Sequence, residues 1–147
     1  MSTEMFDRQH IMDLVTSVGR CLDERDFEAL RELFTDDATL ATPGGTVGGH
    51  DALVAQARRG HSRDKGIQHI ITNHLVRLDG DRASVRANLL VAFATDGPAD
   101  PQPFLLGEVY RFEMRRTADG WRISSLQSTP VWSLNRPARL AGLRSPA

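Results

Sequence analysis

The first third of the chain carries apolar residues at helical spacing. Between residues 7 and 23 they recur three or four positions apart, which predicts an amphipathic helix with one buried side. A second, short helix is predicted after Asp26, a residue suited to an N-cap, and a third helix after Asp51. Residues 38–41 are predicted to form a short strand, and the glycine-rich residues 43–49 a loop.

The second half of the chain is rich in β-branched residues and is predicted to consist of strands. Turn signals of the Asp-Gly type occur at 79–81 and 118–120, each between two extended runs. Four long strands are therefore predicted, at 67–78, 82–95, 104–115 and 121–132. Residues 96–103 are rich in Pro, Gly and Asp and are predicted to form an exposed loop, and residues 135–147 a loose tail.

Helices followed by a meander of long antiparallel strands indicate an α+β fold. The strands are about twice the usual length of 5–6 residues, and long antiparallel strands coil. We therefore expect a cone-shaped α+β barrel, in which the N-terminal helices pack in a strongly curved antiparallel sheet. Residues 1–134 would form this single domain, with the tail outside it. The inside of such a cone is a suitable place for a small-molecule cavity.

Strand alternation predicts which side chains share a face. In chain order, the sets are His69, Ile71, Asn73 and Leu75; then Glu108, Tyr110, Phe112 and Met114; then Trp121, Ile123, Ser125, Gln127 and Thr129. The second set is the apolar face of its strand, so Glu108 is expected to be buried. A buried carboxyl group either keeps its proton or pairs with a cation.

Composition narrows the classes of function. The net charge of −1 gives no electrostatic case for binding nucleic acid. The single cysteine, Cys21, lies on the buried side of the first helix and is expected to pack rather than to react. The N-terminus lacks the apolar core of a signal peptide, and no run approaches the roughly 20 apolar residues that span a bilayer. A reducing cytoplasm is the expected location.

The sequence carries no metal or phosphate-loop motif. His-x-His, His-Glu-x-x-His and Cys-x-x-Cys spacings are absent, and the glycine-rich residues 44–49 lack the following Lys-Ser/Thr. Two residues suited to proton transfer remain, Asp23 at the end of the first helix and His69 at the start of a long strand. If they converge in one cavity, they could transfer protons without a metal or cofactor. His50 and His61, in a loop and at a helix end, are expected to be exposed.

Four segments carry a family resemblance: Leu22–Phe27, Leu33–Ala38, Gln68–Ile70 and Asp119–Ile123. In this order they resemble the SnoaL-like branch of the nuclear transport factor 2-like superfamily, and the resemblance extends over residues 7–132. The subgroup that they most resemble includes scytalone dehydratase and bile acid dehydratases. The resemblance implies the cone-shaped fold, which hosts dehydratases, isomerases, polyketide cyclases, epoxide hydrolases and non-enzymatic domains.

The resemblance also implies roles for single positions. Asp23 and His69 match the catalytic aspartate of scytalone dehydratase and the histidine that it orients. The substrate-binding positions differ: Leu22 replaces a tyrosine, Phe93 lies near the place of a second histidine, and Glu108 and Tyr110 replace a serine and an asparagine. The resemblance thus implies a retained Asp–His pair with altered groups around the substrate.

The expected function is a cofactor-independent dehydratase, isomerase or cyclase for a hydrophobic polyketide-, terpenoid- or steroid-like molecule of secondary metabolism. His69 would be general base and acid, Asp23 would fix its tautomer, and Asn73, Glu108 and Tyr110 would hold the reacting oxygen. Apolar residues on both faces of the long strands favour a homodimer. One alternative is a non-catalytic ligand-binding or dimeric interaction module. Another is an epoxide hydrolase, although no Asp–Arg–Asp set can be placed.

Overall fold

The computed structural model describes residues 2–61, 66–94 and 103–136. Its helices are α1 (Thr3–Asp23), α2 (Leu30–Leu33) and α3 (His50–His61), with a 3-10 turn at Phe27–Ala29 before α2. The buried side of α1 includes Ile11, Val15, Val18 and Leu22. The three predicted helices are confirmed, although the side chain of Asp26 makes no capping hydrogen bond.

In the described part of the chain, six strands form one sheet against which the helices pack. They are β1 (Phe34–Thr42), β2 (Gly45–Gly48), β3 (Gly66–Asp79), β4 (Arg82–Ala94), β5 (Phe104–Thr117) and β6 (Gly120–Leu134). Their spatial order is β2-β1-β6-β5-β4-β3. The predicted α+β fold with a strongly curved sheet is confirmed. The sheet differs from the expected one in being mixed, because β1 runs parallel to β6, and in being open, with β2 and β3 at its edges.

The segments between the predicted elements differ in part from expectation. Residues 43–49 were predicted as a loop, but Thr42 pairs with Gly45 across a tight turn, and strand β2 follows. The predicted loop at 96–103 lies outside the described residues except for Pro103. The predicted tail is described only as far as Arg136.

Helix α1 lies close to β3 because residue 19 has no side chain. A Cβ at Gly19 would lie 3.3 Å from Cδ1 of Ile71 and 3.4 Å from Cβ of His69. Both distances are at or below ordinary van der Waals contact, so a larger residue would push the last turns of α1 away from the sheet. The close approach brings the C-terminal end of α1 next to His69.

Two β-bulges change which side chains face the helices. In β3 the pairing with β4 shifts between Thr72 and Leu75, and Asn73 has a left-handed backbone with φ of 56°. Leu75 is consequently 63% exposed rather than inward.

In β6 the pairing with β5 shifts between Ile123 and Ser125, so Leu126 is buried. The predicted face of Ser125, Gln127 and Thr129 is therefore wrong, because a bulge reverses the alternation.

Candidate functional site

The end of α1 fixes the position of Asp23. The helix closes with two backbone hydrogen bonds, in which the N–H of Asp26 donates to the carbonyl of Cys21 and that of Arg25 to Leu22. This pair of bonds is the Schellman arrangement, and its left-handed position is Arg25, with φ of 56°. Asp23 is thus the last helical residue, with its backbone held by the turn.

Asp23 and His69 form a close pair. The Asp23 carboxylate accepts hydrogen bonds from Nδ1 of His69 at 2.6 Å and from the His69 backbone N–H at 2.9 and 3.0 Å. The backbone donor is available because β3 is an edge strand. A carboxylate at a helix C-terminus is disfavoured by the helix dipole, and these donors compensate it. The pair predicted from the sequence is therefore in contact.

The environment of His69 determines its protonation. Its side chain is 2% exposed, and this burial lowers its pKa, while the hydrogen bond and charge of Asp23 act to raise it. The ring is therefore neutral at neutral pH. Since a carboxylate can only accept, Nδ1 carries the proton, and Nε2 is the nitrogen left for a ligand.

A largely apolar cavity of about 330 Å³ lies between the helices and the sheet, and His69 forms part of its wall. That volume is at the lower end of typical small-molecule sites. Four further predicted residues line it: Leu22, Phe93, Glu108 and Tyr110. Phe93 stacks on Phe104 with ring centroids 4.2 Å apart, which gives that wall a rigid aromatic surface.

Glu108 and Tyr110 supply polar groups from β5. The hydroxyl of Ser128 on β6 donates a hydrogen bond to Oε2 of Glu108, and Ser128 also lines the cavity. Burial raises the pKa of the Tyr110 hydroxyl far above its usual range, so that it remains a donor at any working pH. Ser128 is a site residue that the sequence reasoning missed, because the bulge in β6 was not foreseen.

Asn73, which was expected to bind substrate together with His69, does not line this cavity. It is exposed at the β3 bulge, where it accepts a hydrogen bond from the hydroxyl of Thr72. The bulge turns it away from the face of His69, since the simple alternation that placed them together is interrupted between the two residues.

The two histidines expected to be exposed are both partly buried. His61, the last residue of α3, lines the cavity, and its ring centroid lies 5.3 Å from that of His69. His50, the first residue of α3, donates a hydrogen bond from Nε2 to the carbonyl of Phe34 at 2.9 Å and does not line the cavity. A signal for His61 is present in the sequence, because Leu53, Ala57 and His61 follow one another at helical spacing of four.

Other features bear on metals and membranes. Among the described residues, no group of three or more His, Cys, Asp or Glu side chains could hold a metal ion. No helix within residues 2–61, 66–94 and 103–136 is long and apolar enough to cross a membrane. Arg136 reaches the cavity wall from just beyond β6.

Comparison with known proteins identifies the family. The profile of the SnoaL-like domain matches residues 3–127. The chain belongs to the SnoaL-like domain family. The predicted resemblance to this branch of the nuclear transport factor 2-like superfamily is thus confirmed.

Relatives of this SnoaL-like protein include an uncharacterized protein, Rv2910c, of Mycobacterium tuberculosis, which is 32% identical over 82% of each chain. A solved structure provisionally named as a scytalone dehydratase, from Novosphingobium aromaticivorans, has a TM-score of 0.83 at 17% identity and covers 93% of this chain and 92% of its own. Hexachlorocyclohexane dehydrochlorinase LinA-type3 from Novosphingobium barchaimii has a TM-score of 0.80 at 21% identity, over 92% and 93% of the two chains. At these identities the two structures show the shared fold.

Proposed function

We propose that this SnoaL-like protein is a cofactor-independent acid–base enzyme that removes a proton from a hydrophobic small molecule. The observation that carries the proposal is the contact of 2.6 Å between Asp23 and Nδ1 of a buried histidine in the wall of an apolar cavity. General base catalysis needs a neutral imidazole that a carboxylate holds through Nδ1, so that Nε2 is oriented to accept a proton.

In the proposed reaction, Nε2 of His69 takes a proton from a carbon next to a carbonyl group, or from a hydroxyl. After removal of a carbon-bound proton, the C–H bonding pair forms an enolate or a new C=C double bond, and in an elimination the group on the neighbouring carbon leaves with the electron pair of the bond that breaks. After removal of a hydroxyl proton, the O–H bonding pair stays on the oxygen as an alkoxide. Asp23 stabilises the imidazolium that results, and His69 then returns the proton to the departing oxygen or to solvent. Such a base contributes about 10²–10⁴-fold to the rate.

Tyr110 and Glu108 are proposed to hold the oxygen at which charge changes. Tyr110 is suited to this role because its hydroxyl stays protonated and can donate a hydrogen bond to an oxygen that becomes negative. Glu108, already bonded to Ser128, can accept a hydrogen bond from a substrate hydroxyl. Leu22 and Phe93 form apolar walls, which favour a polyketide-, terpenoid- or steroid-like molecule over a charged one.

The reaction class is proposed to be a lyase or isomerase reaction. Two structural neighbours are named as a dehydratase and a dehydrochlorinase, and both names denote eliminations, in which a base removes a proton while a neighbouring group leaves. Cyclisation requires the same deprotonated carbon and remains part of the proposal. A homodimer in the cytoplasm also remains a prediction.

The test uses simple carbon acids. Deuterium uptake at the carbon next to the carbonyl of 1-tetralone is followed by NMR in D₂O, together with water loss from β-hydroxy ketones. We expect the wild-type protein to exceed the buffer rate, and Asp23→Asn and His69→Ala to lose about 10²–10⁴-fold. The control is His10→Ala, which removes an exposed histidine of α1.

Two results would contradict the proposal. Exchange that is equally fast in the wild type and in both site variants would show that the pair does not perform the chemistry. Probes that bind in the cavity without exchange or elimination would favour the non-catalytic ligand-binding alternative.

A further inference from the structure

A second imidazole in the cavity is not used by the proposed proton transfer. His61 ends α3 and faces His69 across a ring-centroid distance of 5.3 Å, with the two rings inclined at 38°. On its other side the ring lies 6.5 Å from that of Phe27. His61 is therefore placed to touch any molecule that reaches His69.

One hydrogen bond fixes the tautomer of His61. Nδ1 lies 2.8 Å from the carbonyl oxygen of Ala57, one turn earlier in α3. A carbonyl oxygen can only accept, so Nδ1 must carry the proton. In the neutral ring Nε2 is then a lone-pair acceptor, and it makes no hydrogen bond with another described residue.

The two imidazoles differ in what supports them. His69 is backed by the carboxylate of Asp23, which stabilises a positive ring, whereas His61 is backed by an uncharged carbonyl. Burial, and to a smaller extent the neighbouring His69, lower the pKa of His61 to about 4, against the opposing effect of the Ala57 carbonyl. At neutral pH, His69 can gain a proton during a reaction while His61 remains an acceptor.

We propose that His61 is a ligand-contacting residue whose Nε2 accepts a hydrogen bond from a hydroxyl or N–H group of the bound molecule, close to the atom that His69 deprotonates. The proposal rests on the proposed function in requiring that the cavity bind a small molecule. It defines the substrate class more narrowly as hydrophobic molecules that carry a donor group near the reacting carbon.

The selectivity follows from the cost of an unpaired acceptor. A ligand without a donor would cover Nε2 of His61 with apolar atoms and remove its contact with water. A typical hydrogen bond between neutral groups contributes about 0.5–1.5 kcal/mol net, which corresponds to roughly two- to tenfold in affinity.

The first measurement needs no ligand. Long-range ¹H–¹⁵N NMR of the histidine rings reports which nitrogen of each ring carries the proton. At neutral pH we expect His61 to be singly protonated, at Nδ1. A His61 ring that is protonated at Nε2, or doubly protonated, would overturn the proposal whatever the protein catalyses.

The second measurement uses 2-naphthol and naphthalene, which share their rings and differ in one donor. We expect 2-naphthol to bind the wild-type protein more tightly and to shift the Nε2 signal of His61, whereas naphthalene should leave it unshifted. In His61→Phe the preference for 2-naphthol should fall by about two- to tenfold. His61→Gln, which keeps an acceptor oxygen, should retain part of the preference, and His10→Phe should retain all of it.

The outcomes separate the two proposals. If 2-naphthol shifts only the His69 signal, or if its preference survives in His61→Phe, the assignment of His61 is wrong while the cavity still binds small molecules. If neither probe shifts any cavity resonance, the ligand contact of His61 is refuted for this class of molecule. Loss of deuterium exchange in the His69 variant would then still support the proposed acid–base function independently.

Discussion

His61 makes the stability of the fold depend on pH in a direction that its surroundings determine. Burial lowers its pKa from 6.5 to about 4 in the folded protein, whereas the unfolded chain keeps the ordinary value. As the pH falls below 6.5, the unfolded chain takes up a proton that the folded protein does not. The contribution of His61 to the free energy of unfolding is therefore present in full above that pH and decreases below it, and the loss reaches about 3 kcal/mol near pH 4.

The assay is urea-induced unfolding of the wild type and of His61→Gln, at about pH 7 and about pH 4. The variant should be less stable at neutral pH, because it loses packing and the bond to Ala57. Since glutamine does not titrate, the difference in unfolding free energy between the two proteins should shrink by about 3 kcal/mol at the lower pH.

The comparison isolates His61 from the other buried histidines. Burial also lowers the pKa values of His69 and His74, but both residues are present in the two proteins, so their effects cancel to first order. A wild type and a variant that lose stability in parallel between the two pH values would refute the reasoning, because His61 would then not be held neutral by the fold.

Three further substitutions test other parts of the structure. Arg25→Gly should raise the unfolding free energy by up to about 1 kcal/mol in urea unfolding, since glycine adopts the left-handed position without strain, and Arg25→Ala should give no such gain. Gly107→Ala should lower the midpoint of thermal unfolding, because its Cβ would overlap the indole of Trp132, and adding Trp132→Ala should remove most of that loss. Asp23→Asn should weaken the pair with His69 and shift the pH–rate profile to lower pH, measured as deuterium exchange into 1-tetralone.

The parts of the site that sequence reasoning found are those that local pattern or the family resemblance defines. The helical spacing from residue 7 to 23 ends the first helix at Asp23, which is where the structure ends it. The long strand predicted to start at residue 67 has His69 near its beginning, and the family resemblance pairs this histidine with Asp23 at the end of α1. The family resemblance implied Leu22, Phe93, Glu108 and Tyr110 as substrate-binding positions, and all four line the cavity.

The site residues that sequence reasoning missed or misplaced depend on pairing between strands and on closure of the cavity. Asn73 was grouped with His69, and Ser128 was missed, because alternation assumes an unbroken ladder, and nothing in a single strand marks where its partner shifts. His61 was expected to be exposed because it ends a helix with a polar last turn. Its burial comes from β3 and the 3-10 turn, which lie far from it in sequence.

The parallel pairing of β1 with β6 has a consequence for how the protein is made. Leu40 pairs with Leu126, so the ladder between β1 and β6 cannot form until the last described strand has been made. Closing so long a loop is entropically costly and slow. A chain emerging from the ribosome can assemble β3, β4 and β5 as successive hairpins, but it cannot enclose the cavity. The ligand binding that we propose should therefore appear only after β6 has been made.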